Sequence, residues 1–339
     1  MGWNEQNWDT LEALLEWRPK GEDTSDFVVS QASSGEAAGP VKFDATKPGS
    51  APFIIPGFGI HPWAVERTLA SAPPDTLSAV GTTDGPFTIS TALQEKLEAL
   101  PWFGRLTDLL RRYPQAIVGE IGLDKVTRNR TTGEIYSFQN QTILFRLQWD
   151  LAIRLRRPVS VHAVKCPTQL LDFIRGQVRS YTQSKKAAVR KMGNKGGSVA
   201  DSVVATDPGS LVDSPELTDP LPPKIMFHSF TGAVELVQQL LRLPSEFGTR
   251  FYYSFSQTIN QRSTKLPAIV AAIPENRLLM ETDLSDATQI DGAMLAMAQT
   301  LADLKGYSLG DTIQLLHHNS MEFYHDQIRT LPDYIKQGD

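Results

Sequence analysis

The chain has 339 residues, 41% of them hydrophobic, with a formal net charge of −5 and a single cysteine, Cys166. That is enough apolar material for a sizeable core and too little positive charge to hold nucleic acid by bulk electrostatics, which leaves open enzymes that touch phosphates through metal ions. One cysteine excludes an intramolecular disulfide and suits a reducing compartment.

No apolar run approaches the roughly 20 residues needed to span a bilayer. The acidic opening, MGWNEQNWDTLEALLEW, lacks the basic flank and apolar centre of a secretory signal. A cytoplasmic or nuclear protein is expected, neither secreted nor bound to a membrane, and monomeric.

Taken in order, residues 1–20 predict a short helix around Leu11, Leu14, Leu15 and Trp17, and Phe27 to Ser30 a weak strand. Residues 31–52 are Ser-, Gly-, Ala- and Pro-rich loop, so 1–52 reads as an irregular N-terminal segment. Phe53 to Ile60 is strand-like and ends in His61-Pro62-Trp63. Ala92 to Tyr113 is helical with an interruption at Pro101. Ala116 to Val118 is a buried strand followed by Gly119, Glu120, Ile121, Gly122, Leu123 and Asp124. Phe138 to Arg156 is an amphipathic helix in which Leu144, Leu147, Leu151 and Leu155 share a face. Pro158 to His162 is strand, and Thr168 to Tyr181 is helix. Residues 183–222 carry Lys185, Lys186, Arg190, Lys191 and Lys195 and then a Ser/Asp/Pro-rich tail; they read as a disordered insertion that offers a surface for a protein partner. Strands then recur at Lys224 to His228, Arg250 to Phe255 and Arg277 to Asp283, with helices between them. Ser308 with Asp311 forms a capping box for a last helix through Leu315, Asn319 and Phe323, and 329–339 is a tail.

This alternation predicts an α/β protein with a parallel sheet. No Gly-rich phosphate loop follows the first strands, while ligand-type residues sit at the ends of several strands. The expected architecture is a (β/α)8 TIM-type barrel over 53–328, incomplete at its N-terminus, because six strands and one weak candidate fall short of eight.

Glu120, His162, His228 and Asp283 lie at four strand ends. Two imidazoles and two carboxylates are the ligand set of a hydrolytic zinc, manganese or magnesium site. Each has a bland alternative, a core histidine held by a hydrogen bond or a capping aspartate; their recurrence at strand ends favours the metal. Such an ion lowers the pKa of bound water to about 7, and a pair roughly 3.5–4 Å apart also grips the substrate. Glu120 is the candidate bridge and Asp283 a ligand that orients or deprotonates the water. His61 is the candidate substrate contact.

The ordered set Gly59-Ile60-His61-Pro62, Val118 to Asp124, Phe145-x-x-Gln148 with Pro158 to His162, Phe227 to Gly232, Leu279 to Asp283, and Asn319 with Phe323 resembles the TatD-type metal-dependent deoxyribonucleases, a branch of the amidohydrolase-like barrels. The resemblance implies a two-metal barrel that cleaves phosphodiester bonds in DNA, often as a 3′ exonuclease. It implies that Glu120 bridges the metals, His162 and His228 complete one site, and Asp283 serves the other.

Three departures stand out. The family's first strand carries an H-x-H pair of ligands, and no histidine precedes His61 here, so one metal site is complete and the second incomplete. An incomplete gene model is the first expectation and true loss the second. Trp63 stands where the family usually has a second histidine, and Ala163-Val164 where a substrate-contacting arginine is common. The first expectation for function is a DNA-hydrolysing metalloenzyme. The alternatives are a non-catalytic scaffold that has lost one metal site, and a hydrolase of another small substrate of the amidohydrolase type.

Overall fold

The computed structural model describes residues 5–16, 54–74, 76, 87–129, 131–193 and 219–331. Its sheet holds six strands in simple sequence order: β1 (Gly57–Phe58), β2 (Ile117–Asp124), β3 (Val159–Val164), β4 (Ile225–Phe227), β5 (Phe251–Ser256) and β6 (Leu278–Glu281). Every neighbouring pair is parallel, with helices crossing between successive strands. This is the winding of a TIM-type barrel, an α/β fold. Six strands of it are present among the described residues. Strands β2 and β5 are buried along their whole length, as a parallel sheet covered on both faces requires.

The six firmer strand expectations each correspond to a strand among the described residues, and two differ most in extent. Of the run that begins at Phe53, which itself lies outside the described residues, Gly57–Phe58 is strand; it ends there because the backbone of Ile60 leaves the ladder: Gln148 Oε1 accepts from its N–H at 2.6 Å and Gln148 Nε2 donates to its carbonyl at 3.2 Å. Strand β2 runs on to Asp124 instead of stopping at Val118, through a register irregularity between Val118 and Ile121. The weak candidate Phe27–Ser30 lies outside the described residues.

The helix Phe138–Arg154 seats the sheet. Ser137 caps it by accepting from Asn140 N–H, and Leu144, Leu147 and Leu151 are buried as the stepping predicts. Phe145 and Trp149 pack with Phe173 at ring separations of 5.3–5.4 Å. The same helix carries two buried glutamines, Gln141 and Gln148. Gln148 holds Ile60, and Gln141 holds both backbone groups of Asp124 at 2.7 and 3.0 Å. Two strand ends are thus fixed from one helix. Gln148→Leu would leave a buried N–H and C=O of Ile60 without partners, at about 1–3 kcal/mol for each group. Chemical denaturation is expected to show a loss of that order, and an unchanged midpoint would remove the clamp from the account.

The other helices follow the sequence with instructive exceptions. Leu100 precedes a helix Pro101–Arg112 with proline in its first turn, so the interruption at Pro101 is a true boundary. Ser308 Oγ accepts from Asp311 N–H as the capping box requires. The helix expected to end at Tyr181 instead spans Pro167–Gly193, so the start of the expected disordered insertion, 183–193, is helical. Residues 194–218 lie outside the described residues. Near the N-terminus the expected helix is Glu5–Glu16; Trp8 is fully buried, Arg105 pairs with Asp9 and Glu12, and Arg112 pairs with Glu12 at 2.9 Å. Among the described residues no helix is long and apolar enough to cross a membrane.

Candidate metal centre

The strand ends deliver a compact polar group. His61 follows β1, Glu120 and Asp124 lie on β2, His162 on β3, His228 directly follows β4, and Glu281 ends β6 with Asp283 two residues on. Glu120 is only 4% exposed. One of its oxygens, Oε1, meets three imidazoles: His162 Nδ1 at 3.0 Å, His228 Nε2 at 3.6 Å and His61 Nε2 at 3.7 Å. Asp283 Oδ1 adjoins from the cavity side, 3.4 Å from His228 Nε2.

A buried carboxylate is costly unless it is partnered. Burial pushes the Glu120 carboxyl up, but the hydrogen bond with His162, the nearby ring of His61 and the charge of His228 outweigh it and hold it below the usual carboxylate range. Burial pulls His228 down, and the carboxylates Asp283, Glu281 and Glu120 more than reverse that, raising it to about 11. His162 is likewise raised, its burial outweighed by Asp124 and Glu120. His61 goes the other way: burial lowers it despite Glu120, so its ring is neutral at pH 7.

The two raised histidines share a design that spacing alone does not reveal. Each has a second carboxylate on the ring nitrogen away from Glu120. Asp124 Oδ2 lies 3.3 Å from His162 Nε2. Glu281 Oε2 lies 2.5 Å from His228 Nδ1, a charge contact that misses hydrogen-bond alignment. A carboxylate behind an imidazole fixes the ring and directs the lone pair of its other nitrogen toward a cation. Asp124 is itself held, with its carboxyl at about 2: burial raises it, and His162, the Trp63 indole N–H at 2.9 Å and the Val126 amide lower it further. Glu281 Oε1 accepts from Ser229 N–H at 2.6 Å and from the Ser254 hydroxyl.

Asp124 and Glu281 are functional candidates that the sequence reading quoted within motifs without giving them a role. For Asp124 the available signal was strand parity. Glu120 and Asp124 both lie on β2 an even number of residues apart, which places them on one face of that strand; Glu281 ends β6 and Asp283 lies beyond it with φ +54, so parity gives no signal for that pair.

Ligand-type atoms of His61, Glu120 and His162 lie within 4.8 Å of one another, a group that could hold a metal ion. Within it the tautomer of His61 is distinctive. Its Nδ1 accepts from Trp63 N–H at 3.2 Å, so in the neutral ring the proton is on Nε2, which faces the site as a donor. The nitrogen and carboxylate donors of Glu120, His162, His228 and Asp283 suit a divalent zinc, manganese or magnesium ion. The remaining histidines, His317, His318 and His325, sit on the C-terminal helices, so no H-x-H pair supplies further ligands.

Glycine explains how β2 and β3 come close enough. Gly122 is in register with His162, and a Cβ on it would overlap the His162 carbonyl oxygen. A Cβ on Gly119 would lie 2.8 Å from that of Ser160.

A family model described as TatD related DNase matches residues 44–325. Among curated proteins, the Cut9-interacting protein scn1 of Schizosaccharomyces pombe is 28% identical over 296 residues, which cover 80% of this chain and 83% of that protein. The uncharacterized deoxyribonuclease YMR262W of Saccharomyces cerevisiae is 24% identical over 249 residues, 68% of this chain and 66% of that protein. Among solved structures, an uncharacterized amidohydrolase from Saccharomyces cerevisiae is 17% identical, covers 79% of this chain and 80% of its own, and superposes with a TM-score of 0.48.

Proposed function

The chain belongs to the TatD-related DNase family, and from that premise we propose that it hydrolyses phosphodiester bonds in DNA with a divalent cation held by Glu120, His162, His228 and Asp283. What supports this is one observation: a single buried oxygen, Glu120 Oε1, is met by three imidazole nitrogens at 3.0–3.7 Å, and two of those rings are backed by a further carboxylate.

A divalent cation in such a cluster supplies a hydroxide-like water near neutral pH and polarises a phosphoryl oxygen. The protein groups do the rest. Asp124 and Glu281 hold His162 and His228 in the ring orientation that presents Nδ1 and Nε2 to the centre. Asp283, with its side chain 32% exposed at the cavity, takes the proton of the attacking water on a carboxylate oxygen. His61 Nε2–H donates to a non-bridging phosphate oxygen, the substrate contact expected of it. His61 is held for this from two sides, by the Trp63 amide at Nδ1 and by the Gln148 clamp on the residue before it.

A second reading has two observations in its favour. The fission-yeast relative is named for an interaction with Cut9, and no H-x-H pair occurs in the given sequence; a non-catalytic scaffold with a protein partner fits both. The readings separate on 5′-labelled single-stranded DNA with Mn²⁺. The hydrolase produces a ladder that shortens from the 3′ end, and Asp283→Asn reduces it. No product from the full chain at high enzyme concentration would overturn the hydrolase and leave the scaffold.

A further inference from the structure

Trp63 is an unusual wall for an ionic site. It lies in the single turn Pro62–Ala64 that follows His61, and 39% of it is exposed. The ring is nonetheless fixed. Its Nε1 donates to Asp124 Oδ2 at 2.9 Å, and its plane stands nearly perpendicular to those of His61 and His162, at 4.8 and 5.9 Å between ring centres. The cavity beside it measures about 630 Å³ and is lined by the candidate ligands and by Glu281, Thr282 and Ser285. Trp63 and Leu284 are its only large apolar side chains among the described residues, one following the first strand of the sheet and the other following the last.

A volume of that order is in the range of sites that take a whole small molecule, more than one phosphate group requires. An exposed indole locked in one orientation carries little conformational cost on binding, and its π-face stacks on any nucleobase without regard to sequence. A purely structural tryptophan would satisfy its N–H on Asp124 and bury the ring; this one satisfies the N–H and keeps surface open to the cavity. We infer that Trp63 is the stacking surface for the nucleobase next to the scissile phosphodiester, so that the site selects an unpaired, base-bearing strand end over a bare sugar–phosphate strand; this rests on the phosphodiester reading above.

The test compares two labelled, phosphorothioate-linked hexamers bound to the full chain in Mn²⁺: thymidine hexamer and its abasic counterpart of the same length. The readout is the ratio of the two dissociation constants, because general damage to the site weakens both alike. Wild type is expected to favour the thymidine strand by roughly 5- to 150-fold, the worth of one stacked base. Trp63→Phe retains most of that preference although it loses the hydrogen bond to Asp124. Trp63→Ala brings the ratio close to one. An unchanged ratio in Trp63→Ala, a wild-type ratio near one, or no binding of either strand overturns the inference. Turnover of bis(p-nitrophenyl) phosphate, which carries no base, is measured in parallel. Its absence in wild type defeats the hydrolase reading, while the ratio still reports on stacking.

Discussion

Glu120→Gln is expected to lower metal-dependent phosphodiester turnover by at least about 10³-fold, with several kcal/mol of transition-state stabilisation lost with the cation. The change keeps the shape of the side chain and removes its charge. Glu120 Oε1 faces three imidazoles in a space with almost no solvent, so a neutral amide both withdraws a ligand and removes a charge that helps raise the pKa of His162 and His228. The protons matter for the pH dependence. In the metal-free chain His228 holds its proton up to about 11, and a cation must displace it to use Nε2. Apparent metal affinity therefore rises with pH, and binding releases protons. The sign for stability is opposite. A histidine raised above its ordinary value stabilises the fold fully below about pH 6.5, and that contribution fades as pH rises toward 11. Glu120→Gln removes one of the charges that raise His228, so it narrows that window. Calorimetric metal titration in two buffers of different ionisation enthalpy measures the proton release, and turnover measures the rest. Wild-type-like turnover in Glu120→Gln would remove Glu120 from the centre.

Among the described glycines, Gly122→Ala is expected to be the most damaging alanine substitution. Gly122 has φ +157 and opposes His162 across the β2–β3 pair. The new Cβ would overlap the His162 carbonyl oxygen and lie 2.8 Å from the His162 Cβ, contacts that only movement of β3 relieves. Overpacking of this kind costs about 1–3 kcal/mol, which for a chain of this length corresponds to a Tm lower by a few degrees, on the order of 1–4 °C. Because the displaced residue is His162, metal affinity falls as well. Gly104→Ala serves as the control. It lies within the helix Pro101–Arg112, a Cβ there meets nothing within 4 Å, and it is expected to stabilise by roughly 0.5–1 kcal/mol. Equal melting temperatures for the two variants would contradict the close approach of β2 and β3.

The six strands are legible in the sequence because each is a short apolar run, and five of the six are closed by a ligand-type residue, His61, Glu120, His162, His228 or Asp283; parallel strands buried on both faces look like that. Glu120, His162, His228 and Asp283 are legible for the same reason: a polar residue at the end of an apolar strand is conspicuous. Asp124 and Glu281 are not, because their roles depend on which ring nitrogen of His162 and His228 they approach, and that is decided across strands. The glycines near Glu120, Gly119 and Gly122, allow β2 and β3 to touch, which the sequence alone does not display. Gln148 reads as one more residue of an amphipathic helix until its amide is seen to close on Ile60. The end of the helix Pro167–Gly193 was hidden by composition. Its lysines, arginines and alanines are as common in solvated linkers as in helices, yet they are good helix formers. Trp63 reads as a departure from a motif, and only its exposure beside the cavity suggests a use.

The most direct test of the centre is turnover of bis(p-nitrophenyl) phosphate by the full chain after chelator treatment, before and after Mn²⁺ is restored. The stripped protein is expected to show no activity and to recover with Mn²⁺, while Glu120→Gln and His228→Ala fail to recover although both keep the wild-type circular dichroism spectrum. Turnover that persists after stripping, or recovers equally in both variants, would contradict a hydrolytic metal centre built around Glu120.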